Sequence, residues 1–338
     1  MDVGANLKDV AARAGVSVRT VSNVVTGSAS VAPQTRARVQ QVLDELQYRP
    51  NLAARNLRRG RTGLIGLVIP ELDSPYFGEL AGLLVEAAQS RSWTVVIDQS
   101  GGDADGERRL LEGTGGRVLD GLIMSPWALS PDDLANRTAS LPLVLLGEQD
   151  SQGLADHVTV DNVAAARAAT CHLIATGRRR IAAIGAQPQL HNGTAQQRLA
   201  GYRQALADAG LPHDGSLEVA VAALHRDEGA RAMGQLLDGP VAPDAAFCFS
   251  DQLALGAMRQ AHVRGLSVPA DLAIAGFDDI EDGRYATPSL TTISPDKQQI
   301  AERALQCLAD RIDRRSTAPA HRIVVPHRLV VRESTAGR

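Results

Sequence analysis

The chain has 338 residues, 44% of them apolar, enough for about two domains with a sizeable core. Three scattered cysteines (Cys171, Cys248, Cys307) exclude a disulfide framework and a cysteine metal centre. With no run of 18 apolar residues and no signal-like run near the start, a soluble cytoplasmic protein without membrane contact is expected. The net charge of −3 hides an asymmetry: residues 1–61 carry +6 and the remainder −9, so a small basic head on an acidic body is suited to meet a polyanion.

The head begins with "NLKDVAARAGVSVRTVSNVVTG". Asn6 can cap a helix whose Leu7, Val10, Ala11 and Ala14 recur at helical spacing. Gly15 sits where a helix stop needs a left-handed residue, and Ser17 can cap a second helix from Val18 to Val24. Val21, Val24 and Val25 then face the first helix, while Val18, Arg19, Ser22 and Asn23 face away. This shape places a second helix in a DNA major groove, although an ordinary helical hairpin has the same spacing. A third helix follows, with Pro33 in its first turn and Val39, Val42, Leu43 and Leu46 on one face, stopped at Tyr48, Arg49 and Pro50. Next, "NLAARNLRRGRTG" offers Asn51 as a cap, small Ala53 and Ala54, Leu57, and Arg58, Arg59 and Arg61 around Gly60. It is a poor core helix and suits a linker that orders on DNA.

From residue 62 the pattern alternates between strand and helix. Strand-like runs are "GLIGLVI", "WTVVID", "DGLIMS", "PLVLLGE", "HVTV", "RIAAIG", "LEVAVA", "AAFCFS", "LAIAGF" and "HRIVVPHRLVV". Helices begin at Ser74–Pro75, with Leu80, Leu83, Leu84, Ala87 and Ala88 on one face, and at "GERRLLE"; others cover Asp161–Ala175 and Ala195–Ala209. Such alternation builds parallel sheets covered on both faces, and the number of units predicts two doubly wound lobes with a cleft between them.

Open α/β sheets bind ligands beyond the carboxyl ends of their strands. Those positions hold Tyr76, Phe77, Ser125, Trp127, Glu148, Asn192, Thr194, Arg198, Ser250, Asp251, Asp278 and Asp279. Three of the chain's ten aromatics fall among them, and an aromatic face beside charged and hydroxyl groups suits a sugar. Duller roles also fit: Tyr76, Phe77 and Trp127 as covers of core edges, Arg198 as a solvated arginine, Asp251 as a helix N-cap, Asp278–Asp282 as a solvated turn.

"LKDVAARAGVSVRTVSNVV", "TRARVQQVLDELQYRPNLAARNLRRGRTGLIGLVIP", "QRLAGY", "SDQLALGAM" and "GFDDIEDGRYATPSLTTI", in that order, make the chain resemble the lac repressor family of bacterial transcription regulators along nearly its whole length. The resemblance implies a small all-α helix-turn-helix head at 1–50, a hinge helix at 51–61, and a two-lobed type I periplasmic-binding-protein-like α/β core at 62–338. Three crossovers would join the lobes, placed at 62–161 plus 291–320 and at 162–290 plus 321–334. The DNA-binding set is then Leu7, Ser17, Val18, Arg19, Thr20, Ser22, Asn23, Tyr48, Asn51, Ala54 and Leu57. Thr20 and Ser22 would contact phosphates, Val18, Arg19 and Asn23 would read base edges, and Leu57 matches a leucine that wedges a central base step. Arg198 and Asp278 match positions that clamp an effector's polar atoms, Asn192 and Thr194 match effector-loop positions less securely, and Ser250 stands where some sugar-binding relatives carry asparagine.

No zinc-protease, nucleophile-elbow, Walker or dinucleotide motif occurs, and "GTGG" at 113–116 precedes a strand, so neither catalysis nor a cofactor nor a metal is expected. The resulting expectation is a repressor that binds a palindromic operator as a homodimer under control of a sugar-like effector. The absence of a heptad tail favours a dimer over a tetramer. A nucleoside- or purine-responsive regulator of the same architecture, a solute-binding protein, and a sugar-acting enzyme with a DNA-binding head are the alternatives.

Overall fold

The computed structural model describes residues 5–25, 31–48, 61–113, 118–147, 151–188, 190, 193–313 and 319–336. The expectations for Asn51, Ala54, Leu57, Glu148 and Asn192 lie outside the described residues. The chain divides into two compact units, Met1–Thr62 and Gly63–Arg338.

In the first unit, α1 (Leu7–Ala14), α2 (Val18–Val25) and α3 (Pro33–Glu45) surround one small core. Local chemistry sets each boundary. Asn6 Oδ1 accepts from the amides of Lys8 and Asp9, and Asp9 Oδ2 accepts from the Asn6 amide at 2.8 Å, a reciprocal capping box. Gly15, at φ 64°, ends α1 in the left-handed conformation that glycine adopts without strain. Ser17 Oγ accepts from the Thr20 amide at 3.1 Å and starts α2. Val10, Ala11, Ala14, Val21, Val24, Val39, Val42 and Leu43 are buried together, with Leu7, Val16, Leu46 and Tyr48 packed around them.

The second unit contains two six-stranded sheets. The first uses β1 (Leu64–Ile69), β2 (Thr94–Gln99), β3 (Gly121–Met124), β4 (Leu143–Leu146), β5 (Asp156–Val160) and β11 (Arg322–Val325), in the spatial order β11-β5-β4-β3-β1-β2. The second uses β6 (Ile181–Ala186), β7 (Glu218–Ala220), β8 (Ala245–Cys248), β9 (Ala273–Phe277), β10 (Thr291–Pro295) and β12 (His327–Val330), in the order β12-β10-β9-β8-β6-β7. All neighbouring strands run parallel except β12, which is antiparallel to β10. Helices α4 (Pro75–Gln89), α5 (Ala104–Leu111), α6 (Pro131–Ala135) and α12 (Lys297–Ile312) accompany the first sheet. Helices α7 (Asn162–Ala175), α8 (Gly193–Asp208), α9 (Arg226–Leu237), α10 (Asp251–Val263) and α11 (Glu281–Tyr285) belong with the second. Strands β3, β4, β5, β8 and β9 are buried at every position, as sheets covered on both faces require.

The chain passes between the lobes three times, and two of these passages lie elsewhere than the sequence places the boundaries. Strand β10, within the 291–320 segment expected in lobe one, pairs with β9 and β12 in the second sheet. Strand β11, within the 321–334 segment expected in lobe two, pairs with β5 in the first. The run "HRIVVPHRLVV" is therefore two strands. Pro326 lacks an amide hydrogen and has a fixed φ, so it breaks the ladder and lets the chain change sheets. Its carbonyl accepts from the Asp296 amide at 3.0 Å, which ties this crossover to the one that leads into α12.

Candidate functional site

Residues from both lobes line a cleft at the carboxyl ends of the strands. The first lobe contributes Glu71, Ser74, Tyr76, Phe77, Ser125 and Trp127; the second contributes Thr194, Arg198, Leu224, Ser250, Gln252, Phe277 and Asp278. The cavity volume is about 90 Å³, several times the roughly 10–15 Å³ that one water needs on the same measure. Eight residues singled out from the sequence thus meet in one place: Tyr76, Phe77, Ser125, Trp127, Thr194, Arg198, Ser250 and Asp278.

One wall is aromatic. The Tyr76 and Phe77 rings lie edge to face at 5.2 Å, and Phe77 and Trp127 are tilted at 6.0 Å. Trp127 is held through its backbone. The buried Glu107 carboxylate accepts from the amides of Trp127, Ala128 and Leu129 at 2.7, 2.9 and 2.8 Å. Burial raises the Glu107 pKa, and those amide hydrogen bonds oppose the rise. Gly102 lies beneath the indole: a Cβ there would stand 2.8 Å from Trp127 Cε3.

The opposite wall carries charge. Arg198, on α8, is buried, with its guanidinium 3.4 Å from the Phe277 ring centroid. Nε donates to Asn162 Oδ1 at 2.7 Å, and Nη1 donates to the Phe249 carbonyl. Burial, two hydrogen bonds and the ring contact rule out the solvated helix arginine that the sequence also allowed. Asn162 stands where β5 passes into α7, and Arg198 is thereby anchored at a crossover between lobes.

Asp278 follows β9 with φ 115°, and Asp279 with φ 51°. Two consecutive non-glycine residues at positive φ are strained by about 1–3 kcal/mol each and persist only where their surroundings over-determine them. The surroundings do so here. Asp278 donates its amide to the Ile293 carbonyl at 2.8 Å. Asp279 is buried and pairs with Arg332 at 2.6 Å and Arg284 at 3.2 Å. Burial alone would raise the Asp279 carboxyl, but its hydrogen bonds, chiefly from Arg332, carry it below the usual range. Asp279 and Ile280 are buried, so a solvated turn describes only Glu281 and Asp282 of this segment.

Asp251 corrects a second expectation. The N-cap of α10 is Ser250, whose Oγ accepts from the Leu253 amide at 3.1 Å and donates to the Leu224 carbonyl at 3.0 Å. Asp251 is fully buried, accepting from Thr292 Oγ1 at 2.6 Å and from the Ile280 amide at 2.9 Å. Burial, then the Asp278 charge, raise its pKa well above the ordinary value. A group with a raised folded-state pKa contributes stability that is present below its unfolded value and lost as pH rises through the folded one. Asp251→Asn is therefore expected to melt higher than the parent at about pH 8, with a smaller advantage at about pH 5. Thermal melts in both buffers check this; an advantage independent of pH would show that Asp251 is not the titrating group.

Across the cleft rim, Glu71 Oε2 lies 2.8 Å from His225 Nε2. The Glu71 hydrogen bond raises the His225 pKa, against a smaller opposing effect of burial. Sequence reasoning did not find Glu71, Glu107, Asn162, Gln252, Phe277 or Lys297. Glu71, Asn162, Gln252 and Phe277 had a usable signal, their places at or just past the carboxyl ends of strand-like runs; Glu107 and Lys297 had none.

In the separate head, α2 presents Val18 and Arg19 to solvent, with Thr20, Ser22 and Asn23 half-buried beside them. Arg19 makes no hydrogen bond or ion pair among the described residues, while Thr20 Oγ1 lies 2.9 Å from Ser17 Oγ. Among the described residues no helix is long and apolar enough to cross a membrane. No group of three or more His, Cys, Asp and Glu among them could hold a metal.

The family description "Bacterial regulatory proteins, lacI family" matches residues 6–51, and "Periplasmic binding protein-like domain" matches residues 170–335. The transcriptional regulator DegA of Bacillus subtilis (strain 168) is 34% identical over 336 residues, covering 97% of each chain. The chain belongs to the lacI family of bacterial regulatory proteins. A solved LacI-family structure from Sanguibacter keddieii is 44% identical, with a TM-score of 0.75, over 82% of this chain and 100% of the other. A complex of the transcriptional regulator CelR with cellobiose is 33% identical, with a TM-score of 0.73, over 98% and 99%. This lacI-family regulator thus has a helix-turn-helix head and two periplasmic-binding-protein-like lobes.

Proposed function

We propose that this regulator represses transcription as a homodimer on a palindromic operator, and that a sugar-like effector bound in the cleft, and not chemically altered there, changes its hold on DNA. The observation that carries the effector reading is the cleft itself: an aromatic wall of Tyr76, Phe77 and Trp127 faces Arg198 and Asp278. A sugar ring offers apolar faces to the first and a rim of hydroxyls to the second. The CelR–cellobiose complex supports this ligand class. The effector acts only through its different affinities for two lobe arrangements.

The proposed domain roles are a reading head at 1–50, a hinge at 51–61 and the effector core at 62–338. Within the head, Thr20 and Ser22 set register on phosphates, and Val18, Arg19 and Asn23 read base edges. In the hinge, Asn51, Ala54 and Leu57 enter the minor groove, with Leu57 as the wedge. A thermal-shift screen of the full chain against sugars, cellobiose among them, tests the effector reading. A specific ligand at about 100 times its Kd stabilises the protein by about 2.7 kcal/mol. Failure of every sugar, with a response to a nucleoside, would overturn the sugar class.

Base readout has its own test. Arg19 offers a donor fork with no partner within the described head. Arg19→Ala is expected to weaken binding to the preferred operator by roughly 1–3 kcal/mol and to relax one base position. Binding selection from randomised duplexes measures both, and an unchanged base preference would remove Arg19 from the reading set.

A further inference from the structure

We infer that Lys297, with Glu79, is a positioning residue that couples the Asp278 loop of one lobe to α4 of the other. The inference rests on the reading of the cleft as an effector site.

The loop from Asp278 to Glu281 is held from two sides. Its own lobe supplies the Arg332 and Arg284 pairs to Asp279 and the Asp251 contact to the Ile280 amide. The other lobe supplies two more hydrogen bonds. Lys297 Nζ donates to the Asp279 carbonyl at 3.2 Å, and Glu79 Oε1 accepts from the Glu281 amide at 3.1 Å. Lys297 and Glu79 also pair with each other, and Lys297 Nζ lies 5.7 Å from the Tyr76 ring centroid.

The placement gives these contacts a consequence. Lys297 is the first residue of α12, directly after the crossover from β10, and its side chain is only 10% exposed. Glu79 lies on α4, which also carries Tyr76 and Phe77 of the cleft wall. A buried ammonium needs partners for its protons, and this one has the Glu79 carboxylate, a carbonyl and an aromatic face. One cross-lobe bond ends on Asp279, half of the strained pair that aims Asp278 into the cleft, and the other on Glu281, two residues further along the same loop. A rotation of the lobes that moves α4 away from this loop breaks them, and a ligand that moves Asp278 pulls on them.

The test compares the full chain with its Lys297→Met variant by amide hydrogen exchange, which resolves local opening. Methionine keeps an apolar stem beside Tyr76 and removes the donor. Without ligand, exchange in residues 278–285 is expected to rise roughly tenfold or more, the loss expected for a hydrogen bond to a charged group. Exchange in the sheet cores should be unchanged. With cellobiose as the probe, the parent should slow exchange both in residues 278–285 and in the first turns of α4. The variant should slow it in the loop alone, which a merely structural role of Lys297 would not produce. Unchanged loop exchange in the ligand-free variant, or an α4 response to cellobiose as large as the parent's, overturns the inference. If cellobiose alters neither segment of the parent, the sugar reading fails for this disaccharide, and the ligand-free comparison still decides the role of Lys297.

Discussion

Arg198→Ala is expected to abolish the response to effector while leaving operator binding without effector near that of the parent. Arg198 already spends Nε on Asn162 Oδ1 and Nη1 on the Phe249 carbonyl, and its plane rests on Phe277. Nη2 is the nitrogen without a partner among the described residues, on a side chain that lines the cleft. Truncating one partner of a buried, charge-assisted contact costs about 2–5 kcal/mol, or roughly one and a half to three and a half orders of magnitude in affinity. Alanine also leaves the Asn162 and Phe249 acceptors buried without their donor, which lowers stability by about 1–3 kcal/mol. Arg198→Lys controls for that loss, because it keeps the charge and removes the planar fork. Titration of DNA-bound parent and variants with the sugar found by thermal shift is the measurement. A normal response of Arg198→Ala in a folded protein would place the effector site elsewhere.

Gly256→Ala should destabilise the second lobe by about 3 kcal/mol or more, against the usual direction of the change. In an ordinary helix interior, alanine is better than glycine by roughly 0.5–1 kcal/mol. Here a Cβ on Gly256 would stand 1.8 Å from the Arg226 carbonyl oxygen and 2.8 Å from the Ala230 amide nitrogen. From the other side, a Cβ on Gly229 would stand 2.1 Å from the Leu253 carbonyl oxygen. Helices α9 and α10 therefore touch backbone to backbone at a pair of glycines, and neither side can yield by turning a side chain. The clash reaches the cleft, because the N-cap of α10 is Ser250 in its lining and that of α9 is His225 at its rim. Urea unfolding followed by far-ultraviolet dichroism gives the loss; a stability equal to or above the parent's would mean that the helices cross farther apart.

Much of the head could be read directly. Asn6, Gly15 and Ser17 act on amides and torsions within a few residues, so their roles follow from sequence neighbours. The cleft was legible to the extent that it obeys the strand-end rule, which brought Tyr76, Trp127, Arg198 and Asp278 onto one list. Glu107 was not legible. It sits in an amphipathic helix directly before Arg108 and Arg109, where a solvated carboxylate is the ordinary outcome, and only the return of residues 127–129 over it makes it an anchor.

The caps of α1 and α2, the left-handed stop of α1, the βα alternation and the family follow from the order of residues. These depend on interactions within a turn or two and on hydrophobic period. Packing between distant segments is what makes β10 and β11 exchange lobes, buries Asp251 behind the cleft instead of at the cap of α10, and brings Lys297 to the Asp279 carbonyl. Each of these joins segments distant in the chain or depends on how neighbouring elements cover them. Sheet membership and the burial of a charge are properties of the neighbours that folding supplies, and the local hydrophobic pattern carries no record of them.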